Sequence, residues 1–351
     1  MTINVGVIGL GFMGRTHLAA YANVPGAAVV AVADPRAAAL DGGAGWGNLS
    51  SGAAGANIPE GAARYTDARQ LIADRNVHAL SICTPTDTHV ELAEAALRAG
   101  KHVLVEKPLC IEPADARRVA ELALRTRRVC MPAMCMRHWP GWPWLREATA
   151  SKGGRAPGYS GPALGRLRGV SFRRLGSRPT WSPEFYADTE RTGGALTDLH
   201  VHDADFILWA LGKPTRVFTS GTLDHVHSVY EISNGEREAL RVTAEGGWDN
   251  APGWPFTMHY TAVFERATVD WNLSRSPHLM VYAEGKEFSV DLPAGNAYEL
   301  QARHFIEAVS ASDKGAKVAL VADVDDGVAV AELLDAERES LRRGEPVAFA
   351  G

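Results

Sequence analysis

The chain has 351 residues, 46% of them apolar and 22% charged; at about 150 residues per domain this suggests two domains and excludes wholesale disorder. Thirty-six basic against 41 acidic residues leave a net charge of −5, a poor base for binding nucleic acid or an anionic membrane. No apolar run approaches the roughly 18–20 residues that span a bilayer. The N-terminus has no basic leader, and the cysteines, Cys83, Cys110, Cys130 and Cys135, form no C-x-x-C pair. The expectation is a cytoplasmic protein with reduced, mostly buried thiols and no metal site.

Residues 3–8 read as a short buried strand, Gly9-Leu-Gly-Phe-Met-Gly14 as a turn, and Arg15 to about Asn23 as a helix. Val29–Ala33 is a second strand ending at Asp34, which completes one βαβ unit and calls for a parallel sheet. The alternation continues with helices at 68–74, 89–99 and 113–126 and strands at 79–83, 102–106 and 129–131. Gly100 stops the second of these helices and Pro113 opens the third. This rhythm predicts a doubly wound α/β domain. Only the Gly-, Ala- and Ser-rich segment 41–63 breaks it, either as a surface loop or as a lid that stacks Trp46 on a ligand.

Beyond residue 135 the character changes. Residues 137–144 are rich in tryptophan and proline, and a Gly-rich loop follows to about 165. Segments at 168–172, 216–220, 228–232, 239–243, 258–264, 267–271, 279–282 and 286–290 then read as successive strands, with a turn at Asn234-Gly235. They predict a mostly antiparallel sheet with one covered face. A helix is expected at about 198–211, and two more close the chain at about 298–311 and 324–343. Trp139, Trp142, Trp144 and Trp181 could stack on a sugar, although such rings more often pack in a core. His225-Val-His227 reads as solvated loop or strand.

Gly9, Gly11 and Gly14 follow a strand and open a helix. The first allows the tight turn, the second lets backbone approach a pyrophosphate, and the third lets helix pack on strand. The helix N-terminus then offers N–H groups and partial positive charge to phosphate, so Phe12 and Met13 join the glycines as expected cofactor contacts. Asp34, 20 residues after Gly14 (34 − 14), suits the adenosine ribose hydroxyls and favours NAD, whereas Arg36 leaves NADP open.

Two further segments stand out: Glu106-Lys107-Pro108 at the C-terminal end of a strand, and Gly193-Gly194-Ala-Leu-Thr-Asp198-Leu-His200-Val-His202-Asp-Ala-Asp205. Together with Cys83-Thr84-Pro85 and Ala99-Gly100-Lys101-His102-Val103 they resemble the Gfo/Idh/MocA family of oxidoreductases, from about residue 3 to 347. The resemblance implies a Rossmann domain over 1–132. It implies an α+β domain with a large open sheet over 133–351, serving substrate binding and oligomerisation, with the last helix packing back on the Rossmann domain. It also implies a homodimer or homotetramer. Lys107 then matches the lysine that bonds the reacting oxygen and the nicotinamide side, His202 the general acid/base, and Asp198 the carboxylate that orients the histidine or binds substrate. Glu106, Thr84, Pro85 and His89 fall where the family lines the cofactor. Arg137 faces cofactor or substrate, or makes an ion pair.

The chemistry is coherent without the family. Oxidising a secondary alcohol sends a hydride to nicotinamide and a proton to a base. Histidine titrates near neutrality, and a lysine ammonium stabilises charge developing on oxygen. On one helix Asp198 and His202 form an i, i+4 pair. His200 departs from the family's small residue; His200 and His202 lie about 200° apart on a helix and cannot readily chelate one ion. His200 is then a second polar group in the cleft or a packed histidine. The leading expectation is an NAD(P)-dependent dehydrogenase acting on a sugar, inositol or related polyol. The alternatives are an NAD-dependent glycosidase working by transient oxidation and elimination, or a non-catalytic dinucleotide-binding regulator.

Overall fold

The computed structural model describes residues 2–41, 57–151, 155–233 and 240–349. Trp46 and the expected Asn234-Gly235 turn lie outside the described residues. The chain forms two compact units. One comprises residues 1–135, 179–187 and 296–331, the other residues 136–178, 188–295 and 332–351. No helix among the described residues is long and apolar enough to cross a membrane. All four cysteines are buried.

The first unit contains β1 (Ile3–Ile8), β2 (Ala27–Ala33), β3 (Ala63–Tyr65), β4 (Ala79–Ile82), β5 (His102–Val105) and β6 (Cys130–Pro132). All pair in parallel, in the order β3-β2-β1-β4-β5-β6. This is the dinucleotide-binding order, with the reversal between β1 and β4. Every residue of β4 and β5 is buried, as a sheet covered on both faces requires. The helix His89–Arg98 closes with paired bonds from Gly100 N to Leu97 O (3.0 Å) and from Lys101 N to Ala96 O (3.0 Å). Gly100, at φ 75°, supplies the left-handed residue that this closure needs. The helix Ala297–Asp313 packs on the helix Phe12–Ala22, and Val324, Val328 and Ala331 join the core beneath the sheet.

The second unit is built on nine strands: β7 (Leu167–Leu175), β8 (Arg216–Thr222), β9 (His225–Ile232), β10 (Leu240–Gly247), β11 (Thr257–Phe264), β12 (Ala267–Asn272), β13 (Leu279–Ala283), β14 (Lys286–Ser289) and β15 (Val347–Ala348). Their order is β14-β13-β12-β11-β7-β10-β9-β8-β15, and all neighbours are antiparallel except β7 and β10. Burial alternates along β9 to β12, so one face is covered and the other faces solvent, as the sequence pattern predicts.

The covered face is anchored by Trp142, fully buried. It stacks on Phe172 (5.7 Å) and meets Phe206 (4.9 Å), Tyr260 (5.4 Å) and Trp271 (6.0 Å) edge-on. Trp142 and Trp144 are therefore core residues and are not available to stack on a sugar. Both lie on a helix, Trp142–Ala150, in a stretch whose prolines suggest loop. Pro143 falls in the first turn, where its missing N–H is not needed.

Removing an aromatic ring of this size leaves a cavity that its neighbours cannot close. Trp142→Ala should lower the unfolding free energy of the second unit by about 3–5 kcal/mol, read from denaturant titration. A loss below about 1 kcal/mol would contradict an anchoring role.

Candidate active site

The Gly-rich turn is shaped by contacts that admit no side chain. Gly9 has φ +85°, and a Cβ there would stand 2.6 Å from Cys83 O. A Cβ on Gly14 would stand 1.8 Å from Gly9 O, so helix and turn touch through backbone. A Cβ on Gly11 would meet nothing within 4 Å: this glycine faces open space, as close approach of a pyrophosphate requires. The helix Phe12–Ala22 begins there, with no side-chain cap and no acidic residue in its first turn among the described residues, so its N-terminus keeps its positive character. These residues fit a dinucleotide. Trp181 lies 6.0 Å from Phe12, ring to ring, and 5.6 Å from Tyr186.

Asp34 ends β2 and is 3% exposed. Its Oδ2 accepts from Leu10 N (2.8 Å) and Arg36 Nη2 (3.0 Å), and its Oδ1 from Arg36 N (2.9 Å) and Arg36 Nε (3.0 Å). Burial opposes its charge, but the Arg36 guanidinium and the two backbone N–H groups outweigh burial and hold the carboxyl below its usual range. The acid and the arginine that point to different cofactors are thus one ion pair, with the arginine on the solvent side.

Lys107 follows β5, half-buried, and its peptide bond to Pro108 is cis. Glu106, expected against the cofactor, faces the interior instead. It is 5% exposed, its Oε1 lies 3.0 Å from His17 Nε2, and its Oε2 accepts from Lys107 N at 3.2 Å. His17 Nδ1 lies 3.1 Å from Ser81 Oγ, which also bonds Tyr21 OH at 2.8 Å. Burial opposes charge on His17, but Cys83 and Glu106 outweigh it and raise the imidazole to about 10. Glu106 is held below its usual value by His17 against the same burial cost. A buried carboxylate needs a counter-charge, and His17 supplies it by direct contact, with Lys107 adding attraction.

His89 also turns inward. It is 1% exposed, with Nδ1 2.8 Å from Pro108 O and Nε2 2.9 Å from Thr84 O. Burial lowers its pKa above all other effects, and a neutral ring has one N–H to share between the two carbonyls. The ring thus lies between the Thr84 turn and the segment after Lys107 and donates to one of the two. Thr84 is half-buried and Pro85 exposed beyond the end of β4, at the edge where open α/β sheets bind ligands.

In the second unit, Asp198 and His202 are not on one continuous helix. The helix Gly194–Asp198 ends, and a new helix, Val201–Leu211, begins with His200 at its N-cap. At the break, Leu199 N and His200 N both donate to Ala195 O, at 3.0 and 2.8 Å. His200 sits at the break. It is fully buried, with Nε2 2.9 Å from Tyr230 OH and 2.9 Å from Glu337 Oε2. Glu337 accepts further bonds from Tyr230 OH (2.8 Å) and Ser228 Oγ (3.1 Å). Burial opposes charge on His200 and Glu337 outweighs it, so its pKa is raised. Of the two alternatives for His200, the structure shows the packed histidine. Asp198 and His202 are both half-buried.

Arg137, a candidate for substrate, is 3% exposed. It donates to Asp205 through Nε (3.1 Å to each oxygen) and Nη2 (2.7 Å), and it lies 5.4 Å from the Trp209 ring centroid. Of the alternatives for Arg137, the ion pair is present. Arg174 pairs likewise with Asp203, at 3.1 and 2.8 Å. Sequence reasoning missed Arg174, Tyr230 and Glu337. The available signal was Asp203 and Asp205 within the apolar run Val201–Leu211, since two buried acids on a helix demand two cations.

These observations define a chain with a dinucleotide-binding Rossmann unit and an open-sheet unit. Residues 3–134 match a family model described as "Oxidoreductase family, NAD-binding Rossmann fold", and residues 160–259 match the "GFO/IDH/MocA C-terminal domain". The chain belongs to the Gfo/Idh/MocA oxidoreductase family, and its first unit is an NAD-binding Rossmann fold. It is 31% identical to inositol 2-dehydrogenase of Rhizobium meliloti over 214 residues, 61% of this chain and 56% of that protein. It is 31% identical to inositol 2-dehydrogenase 3 of Saccharopolyspora erythraea over 260 residues, 69% of this chain and 67% of that one. The chain thus spans little more than half the length of the first of these relatives. Levoglucosan dehydrogenase, solved with NADH and levoglucosan, shares the fold, with TM-score 0.77, 21% identity and 100% of both chains covered.

The His17–Glu106 pair makes stability pH-dependent in a defined direction. A histidine raised from 6.5 to about 10 contributes stability that is complete below its unfolded value and is lost as pH rises through about 10. Glu106, lowered from 4.5, contributes stability above that value and loses it on acidification. Unfolding free energy should therefore fall as pH rises toward 10. His17→Gln should lower it by about 3–5 kcal/mol at neutral pH and flatten the alkaline limb. Equally steep limbs in both proteins would show that His17 is not charged in the fold.

Proposed function

We propose that the protein is an NAD-dependent dehydrogenase, transferring a hydride between the nicotinamide and a secondary alcohol or ketone carbon of a sugar, inositol or related cyclic polyol. The observation that carries this reading is the glycine cradle at the switch point, with Lys107 at the end of β5 of the same sheet. The inositol 2-dehydrogenase relatives support the polyol class, and the printed substrate of the levoglucosan enzyme is a sugar derivative.

NAD, when bound, supplies the hydride acceptor; Gly9, Gly11 and Gly14 make room for its pyrophosphate, and Asp34 with Arg36 sets the adenosine end. Lys107 hydrogen-bonds the reacting oxygen and stabilises the charge that develops there. His202 takes the hydroxyl proton as general base and returns it in the reverse direction. Asp198 orients His202 or holds a substrate hydroxyl. Glu106 accepts the Lys107 backbone N–H, which supports the positioning that hydride transfer demands of this residue.

The test is absorbance at the nicotinamide band with purified protein, NAD and a panel of cyclic polyols and sugars. Turnover is expected with at least one of them. His202→Ala should reduce it by roughly 10²–10⁴-fold, with NADH affinity by fluorescence titration unchanged. Full turnover in that variant would remove His202 from the mechanism. Cofactor binding without turnover across the whole panel would favour a regulator.

A further inference from the structure

The second unit gathers a group of ionisable side chains that hydride transfer does not use. His225 and His227 are two residues apart on β9 and project from one face, their rings stacked at 5.2 Å with planes 27° apart. In the antiparallel register, His227 pairs with Glu245 of β10 and His225 with Gly247. A Cβ on Gly247 would stand 2.7 Å from the His225 ring, so glycine lets the imidazole lean across β10. Its Nε2 thereby comes to 3.3 Å from Glu245 Oε1. One nitrogen or oxygen donor from each of His225, His227 and Glu245 lies within 4.8 Å of the other two.

Two of the three donors are oriented from behind. His225 Nδ1 lies 2.6 Å from Asp249 Oδ1. A carboxylate in that position holds the proton on Nδ1, so an arriving ion need displace only the proton that Nε2 shares with Glu245. Arg173 Nε donates to Glu245 Oε2 at 2.7 Å, which leaves Oε1 turned toward the histidines. The His225 and Glu245 side chains are 23% and 22% exposed, and His227 is exposed. The group is therefore partly ordered by its neighbours and reachable from solvent.

We propose that His225, His227 and Glu245 bind one divalent ion of the zinc class, with Asp249 and Arg173 holding two of the ligands in place. Two imidazoles and a carboxylate suit zinc, whereas magnesium and calcium call for all-oxygen shells. Zinc bonds of about 2.0–2.2 Å put tetrahedral donors about 3.3–3.6 Å apart, a spacing that His225 Nε2 and Glu245 Oε1 already have at 3.3 Å, so any closing-in falls to the third ligand. The exposed His227 supplies the adjustment by turning about its side-chain torsions. Three protein ligands leave the fourth position to water or an exchangeable ligand, the arrangement of an open site.

The experiment uses tag-free, full-length protein stripped with a chelator and titrated with zinc chloride against a chromophoric zinc indicator. One zinc per chain is expected, with magnesium chloride unable to compete. His227→Ala, at an exposed position, should keep its circular dichroism and NAD affinity and lose at least about tenfold in zinc affinity. Glu245→Gln should behave alike. Asp249→Asn, which touches no ion, should weaken binding by about 10–100-fold. Binding well below one ion per chain, or a folded His227→Ala protein that holds zinc as tightly as the parent, overturns the proposal.

Discussion

A charge taken out of water costs several kcal/mol unless a partner of opposite sign comes with it, and this protein buries charge in both units. His17–Glu106 lies inside the first; Arg137–Asp205, Arg174–Asp203 and His200–Glu337 lie inside the second. Each pair fixes an element that carries a candidate catalytic residue. Glu106 precedes Lys107 and accepts its backbone N–H. Asp203 and Asp205 flank the turn after His202 and tie its helix down from two sides. His200 ends one helix and starts the next, and so sets where His202 emerges.

The same constraint explains why several residues of the right type for a site are spent on the scaffold. Arg137, Glu106 and His89 have the chemistry of cofactor or substrate contacts, and Glu106 directly precedes Lys107. In the fold their polar atoms meet other buried polar atoms. Lys107, Asp198 and His202 are half-buried and are the residues proposed to act on a substrate. Half-burial allows a side chain both to be held by protein and to meet a ligand.

The glycines act by a separate rule, steric and local. Gly9 and Gly14 touch backbone where any Cβ would collide, while Gly11 faces open space. A turn of this kind is legible from spacing alone, because the same three requirements recur wherever a pyrophosphate sits on a helix N-terminus. Gly247 follows a related rule in the second unit: it clears the way for His225 to reach Glu245. No local pattern announces it, because the collision it avoids is with a neighbouring strand.

What the chain carries locally is the parallel αβ rhythm, the mostly antiparallel second sheet, the dinucleotide cradle and the family likeness, down to the bounds of helices such as Pro113–Thr126 and Val324–Arg343. These rest on short-range periodicity and on motifs whose spacing carries its own physical reason. Long-range packing sets the partners: Glu106 with His17, His89 beside Thr84 and Pro108, Arg137 with Asp205, His200 with Glu337. Each joins residues that are distant in sequence, and a side chain's charge does not say which distant counter-charge will meet it.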